Sequence, residues 1–136
     1  EGYLAADQLH WLQAELMQHP HQPTVIALHH HPVSTGIDWV DQMALQNAPD
    51  LLALLETFAQ VRLVLFGHIH QTLQQHCELP TGRTLAFYGC PSTCLQVAPP
   101  TPAPDHHLPG YRLLTLYSDG RYDTQVHRVA PTAVTL

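Results

Sequence analysis

Apolar residues near the start of the chain recur at helical spacing. Leu9, Leu12 and Leu16 fall at i, i+3 and i+7, and Ala5 extends the stripe, which predicts a helix over 5–18 ended by Pro20 and Pro23. Residues 24–28 (TVIAL) then form a short unbroken apolar run, as a buried strand of an α/β sheet does. It stops at His29, His30, His31 and Pro32. A loop over 33–46, with room for one helical turn, leads to Asn47, which reads as the N-cap of a helix from about 48 to 59. That helix carries Leu51, Leu55 and Phe58 on one face. A second buried strand, 61–66 (VRLVLF), stops at Gly67, and His68-Ile69-His70 follows. Two hairpins complete the pattern: 72–79 with 83–88 around Pro80-Thr81-Gly82, and 111–117 with 122–128 around Ser118-Asp119-Gly120. The Pro-rich stretch 98–109 between them predicts an extended surface loop.

This order predicts an α/β fold with a mixed sheet and layered helices. Only two strands are predicted to be central, which suits half of a domain better than a whole one. A strand–helix–strand crossover makes the strands 24–28 and 61–66 parallel. The histidines that end them therefore share one rim, the side on which α/β sheets gather ligands. On an extended chain the His68 and His70 rings face the same way, roughly 6–7 Å apart at Cα. That spacing suits two neighbouring metals, or one metal gripped across a bend that Gly67 permits. Imidazole is a common metal ligand.

Composition narrows the field. A length of 136 residues predicts one domain, and 45% hydrophobic residues can build a core. No apolar run is long enough to span a membrane. The net charge is −6 and all five basic residues are arginine, which excludes a non-specific nucleic-acid binder. Cys77, Cys90 and Cys94 form no C-x-x-C, so a reduced, cytoplasmic protein is expected. The first residue is Glu1 rather than Met, from which a segment of a longer product is expected. Histidine is abundant, at 12. His10, His19, His21, His76, His106, His107 and His127 read as surface or strand polar residues.

His29-His30-His31-Pro32 and Gly67-His68-Ile69-His70 resemble the last two metal-ligand motifs of the calcineurin-like metallophosphoesterases. With Gln8-Leu9-His10-Trp11-Leu12, Asp38-Trp39-Val40-Asp41-Gln42, Asn47-Ala48, Pro91-Ser92-Thr93-Cys94, Pro109-Gly110-Tyr111-Arg112 and Val126-His127-Arg128, the chain is similar to the bacterial 3′,5′-cyclic AMP phosphodiesterase branch over nearly all its length. The resemblance implies a layered β-sandwich flanked by helices, of which residues 1–136 supply the C-terminal portion. It implies two divalent or trivalent metal ions (iron, manganese or zinc) and hydrolysis of cyclic AMP to AMP by a dimetal-activated water. His29 and His68 would bind one metal and His70 the other, with His29 and His30 open alternatives at the first position. His70, His30 and Asp41 would contact substrate, and Trp39 and Asn47 would line the nucleotide pocket. The family's aspartate-x-histidine, Gly-Asp and Gly-Asn-His-Asp motifs are absent, so the catalytic acid belongs to a missing N-terminal half and the fragment alone is expected to be inactive. Partners implied are a cyclic nucleotide and, through unmatched strand edges, a second copy in a homodimer. Two other readings remain open: a metallophosphoesterase acting on other phosphodiesters, and a non-catalytic His-rich metal-binding fragment.

Overall fold

The computed structural model describes residues 2–130. Its elements are α1 (Ala6–Gln18), β1 (Thr24–Leu28), α2 (Asp38–Asp41), α3 (Ala48–Glu56), β2 (Val61–Phe66), β3 (Leu73–Glu78), β4 (Thr84–Gly89), β5 (Gly110–Leu116) and β6 (Tyr122–Arg128). Four strands form one sheet in the order β1-β2-β4-β3, with β1, β2 and β4 parallel and β3 antiparallel to β4. β5 and β6 form a separate antiparallel ribbon.

The two faces of the sheet carry different layers. Leu16 of α1 and Leu51 and Leu55 of α3 pack with Val64, Phe66, Leu85 and Phe87 on one face. Leu114 and Tyr122 of the ribbon pack with Leu63, Ala86 and Tyr88 on the other. Successive residues of β4 thus point to opposite layers, and both layers are apolar, as a sheet covered on both sides requires. Each fully buried Leu or Phe here contributes about 1.5–3 kcal/mol by leaving water.

Two expectations are corrected. The first hairpin is no separate ribbon: β4 (TLAFYG) is buried along nearly its whole length and enters the sheet beside β2, giving three parallel strands where two were expected. Its unbroken apolar run is what a central strand needs. Asn47 occupies the N-cap position of α3, but its side chain makes no cap hydrogen bond. Instead its Oδ1 accepts from the Leu4 backbone N–H (3.0 Å) and its Nδ2 donates to the Leu4 carbonyl (2.9 Å). The carboxamide therefore ties the start of the chain to α3.

The arginines act as tie-rods. Arg83 donates to the carbonyls of Leu55 and Val61, closing the end of α3 against β2. Arg112 donates to the carbonyls of Leu73 and Gly89 and to Thr124, with its guanidinium 4.8 Å from the Tyr88 ring centre, and so fastens the ribbon to the sheet. Arg128 joins Thr72, Gln96 and Leu108.

Candidate metal centre

β1 and β2 are in register at their ends, Leu28 opposite Phe66, so the histidines that follow them lie side by side. The His68 ring centre is 5.2 Å from that of His29, 4.2 Å from His30 and 6.1 Å from His31. The shared rim expected from the parallel crossover is present, with four imidazoles gathered on it.

The backbone at the second motif differs from expectation. It is not extended: His68 has φ 63° and His70 has φ 51°, both in the left-handed region. The Ile69 N–H bonds back to the Gly67 carbonyl at 2.7 Å, closing a tight turn centred on His68. Gly67 is not among the positive-φ glycines. The strain falls on the histidines themselves, at about 1–3 kcal/mol for each such residue, and persists only where the surroundings impose it. Those surroundings are visible. Ile69, 1% exposed, is driven into the core between the two histidines. It sits where a Cβ on Gly89 would collide with its Cδ1. His70, exposed, is held through its carbonyl by the Val97 N–H at 2.8 Å. Its ring touches none of the other four imidazoles' rings among the described residues, although its charge reaches His68.

Each clustered ring is fixed differently. The His30 Nδ1 lies 2.8 Å from the Met43 carbonyl, which only accepts. Nδ1 therefore carries the proton and Nε2 keeps its lone pair, the outer-shell arrangement that metal-ligating histidines use. Behind His30 stands Gly2, where any Cβ would overlap the ring. The Gln46 N–H and the Gly2 carbonyl hold that segment in place at 2.9 Å. The His29 ring lies over Gly67, its Nδ1 3.6 Å from where a Cβ would stand there.

His31, which the sequence places on the rim without a role of its own, sits deepest. It is fully buried, stacked on His68 at an interplanar angle of 16°. Its Nε2 stands 3.5 Å from Asp41 Oδ1, an ion-pair separation without hydrogen-bond alignment. Burial lowers the His31 pKa, and the charge on Asp41 only partly offsets this. Asp41 itself serves its own loop: Oδ2 accepts from Ser34 Oγ (2.6 Å), and Oδ1 from Thr35 N–H (2.8 Å) and Thr35 Oγ1 (2.7 Å). Burial pushes this carboxyl up, but those bonds outweigh it and hold it below its ordinary value. A substrate contact to Asp41 would have to compete with three donors already in place. Nothing in the sequence pattern marks this knot, because Ser34, Thr35 and Asp41 are ordinary loop residues until the fold joins them.

The donor chemistry fits a metal ion. The His68 Nε2 is buried and has no hydrogen-bond partner. Burial, followed by the charges of His30, His29, His31 and His70, lowers the His68 pKa. A neutral imidazole with an unshared pair is the ligating form. The set is partial: among the described residues no group of three or more His, Cys, Asp or Glu is arranged to hold an ion.

The lowered pKa values carry a stability sign. Below the ordinary histidine value of 6.5 the unfolded chain takes up protons at His31 and His68 before the folded one does. Stability is therefore present above that value and lost as pH falls through it toward the depressed folded values. Urea titrations of the full-length, metal-free protein from about pH 8 to about pH 5 should show this loss, with a shallower slope in His31→Gln.

No protein-family profile matches the chain. Among curated proteins, it is 45% identical over 130 residues to a 3′,5′-cyclic-nucleotide phosphodiesterase of Nostoc sp., covering 94% of this chain and 47% of the relative. It is 41% identical over 133 residues to the 3′,5′-cyclic adenosine monophosphate phosphodiesterase CpdA of Escherichia coli, covering 96% and 46%. It is 38% identical over 130 residues to CpdA of Pseudomonas aeruginosa, covering 94% and 46%. The chain thus spans about half the length of the curated relatives it matches. Among solved structures, the crystal structure of a dimetal phosphatase from Danio rerio aligns with a TM-score of 0.52 at 21% identity, covering 82% of this chain and 34% of that one. That likeness establishes the fold: parallel strands ending at one rim, helices on one face and a strand ribbon on the other. Fold and sequence agree: over nearly all its length the chain is similar to about half of bacterial 3′,5′-cyclic-nucleotide phosphodiesterases, and it has the fold of a dimetal phosphatase.

Proposed function

We propose that the protein containing this chain is a metal-dependent phosphodiesterase that opens 3′,5′-cyclic AMP to AMP, and that residues 1–136 supply the C-terminal portion of its single catalytic domain. The observation that carries this reading is the convergence of His29, His30 and His31 on His68, whose Nε2 is buried and unpartnered at the rim. In this reading His29 or His30 binds one metal ion together with His68. His70, exposed beyond Ile69, binds a second and faces the substrate phosphate. Two bound ions, whether iron, manganese or zinc, would supply Lewis acidity to a water and to the phosphoryl oxygens.

The chain's own contribution is positioning. The turn centred on His68 and the buried Ile69 fix the backbone from which His68 and His70 project. The His30 bond to Met43 fixes a tautomer, and His31 backs the His68 ring. The remaining donors, the bridging carboxylate and the leaving-group acid come from outside residues 1–136. Two features support a larger domain. β1 is an edge strand of the sheet. Beside it runs an apolar groove of about 460 Å³, lined in part by Leu4, Leu9, Trp11, Leu12 and Leu28. The expected result is hydrolysis of cyclic AMP to AMP by the full-length protein, abolished by a chelator and restored by manganese or iron. Full-length protein that binds metal but leaves cyclic AMP intact while cleaving another phosphodiester would move the assignment to that substrate.

A further inference from the structure

A second polar cavity lies at the opposite end of the sheet from the histidine rim. It has a volume of about 440 Å³ and opens between the starts of β2 and β4 and the tip of the β5–β6 ribbon. Its lining includes Arg62, His76, Thr84, Arg121, Tyr122 and Asp123. The residue that makes it notable is Arg62, and the backbone puts it there. Thr24 pairs with Val61 but Val25 pairs with Leu63, so Arg62 is an extra residue in β2, a bulge. Strict alternation would send residue 62 to the helix face with Val64. The bulge instead turns Arg62 to the ribbon side, where its Nε stands 3.7 Å from the position a Cβ on Gly120 would take. Bulges commonly re-aim a side chain in this way.

The charge inventory singles out the same place. The chain has no lysine and five arginines. Arg83, Arg112 and Arg128 are spent on backbone carbonyls and neighbouring side chains. The other two, Arg62 and Arg121, both line this cavity. Arg121 is partly engaged, its Nε donating to Asp119 (2.7 Å), and the lining carboxylate Asp123 accepts from the Tyr117 hydroxyl (2.7 Å). Arg62 makes no hydrogen bond or ion pair among the described residues. It lies close enough to Arg83 for the two cations to repel. An anion placed between Arg62 and Arg121 would gain charge-assisted hydrogen bonds from guanidinium N–H groups, with the Thr84 hydroxyl and the His76 imidazole alongside.

We propose that this cavity is a binding site for a phosphomonoester group, separate from the metal rim. The fork of a guanidinium matches phosphate oxygens, and a dianion draws more from two arginines than a monoanionic diester does. The volume exceeds that of phosphate alone and suits a ligand the size of a nucleoside monophosphate.

The test uses full-length holoprotein, titrated with inorganic phosphate and, separately, with AMP. Backbone amide shifts of Thr84, Gly120 and Tyr122 report this cavity, while those of Gly67 and Ile69 report the rim, so the two sites are read apart. The expected result is saturable shifts at the cavity residues, weakened at least about tenfold by Arg62→Gln and by Arg121→Gln, with the rim response unchanged. Arg62→Gln removes an exposed side chain with no bonding partner and should fold normally, which a thermal melt verifies. AMP binding more tightly than phosphate would mark a nucleotide site, and equal binding a site for the free phosphoryl group. Shifts confined to the rim, or unchanged cavity affinity in Arg62→Gln, would overturn the proposal whatever the enzyme's activity proves to be.

Discussion

Replacing His68 by alanine in the full-length enzyme will lower cyclic AMP turnover by orders of magnitude and reduce bound metal toward one ion per chain. The reason is where the side chain sits. Its Nε2 is buried at the rim with no protein partner, and three other imidazoles surround it. In the proposed site, losing one donor would disrupt a clamp that works only with both ions in place. His70→Ala should have a similar effect through the other ion. His10→Ala, an exposed change on α1, should leave both numbers nearly unchanged. Metal analysis alongside turnover separates a ligand from a folding residue, because a folding defect would lower the melting temperature and both metals together. Near-normal turnover with two metals in His68→Ala would overturn the assignment of Gly67-His68-Ile69-His70 as a metal motif. The first motif admits a sharper comparison. If His29 is the donor, His29→Ala should behave like His68→Ala and His30→Ala should be milder. The reverse order would assign the role to His30, whose Nδ1 bond to Met43 leaves Nε2 free.

The sheet was legible in the sequence wherever period and burial agree. The runs TVIAL and VRLVLF gave β1 and β2 at their observed bounds, but only β2 is largely buried; β1, expected to be buried, is a half-buried edge strand with Ala27 exposed. Their parallel pairing followed from the crossover, and with it the shared histidine rim. The turns at Gly82 (φ 76°) and Gly120 (φ 83°) were legible because each needs a left-handed backbone that glycine adopts without strain.

What stayed hidden depends on contacts between distant residues. The left-handed His68 and His70 defy the residue-type rule that assigned the bend to Gly67. Burying Ile69 in the space that Gly89 leaves, and tying His70 to Val97, outweighs the local preference. Asn47 satisfies the N-cap pattern in one dimension, yet its amide finds two backbone partners on Leu4, 43 residues away in sequence. His31 reads as one of three similar histidines, and only the fold shows it to be fully buried behind His68. The Arg62 bulge has no signature in VRLVLF at all.

The 136-residue chain alone is expected to show no cyclic AMP hydrolysis, even with added manganese or iron. Among the described residues its rim offers imidazoles but no free carboxylate. Asp41, the acid nearest the cluster by contact, is held by Ser34 and Thr35 and faces His31. Neutral imidazoles cannot bridge two dications or offset their charge, so a second ion would meet uncompensated repulsion. The sheet is open as well: among the described residues β1 is an edge strand, and the groove beside it leaves Trp11 63% exposed. Such an edge next to an apolar surface favours association. The purified chain should therefore bind at most one weakly held ion and sediment as dimers or larger species. Adding back the rest of the domain as a separate polypeptide should shift it to a defined complex and restore activity. Chelator-sensitive turnover by a monodisperse monomer of residues 1–136 would show instead that this chain carries a complete centre, and the half-domain reading would fall.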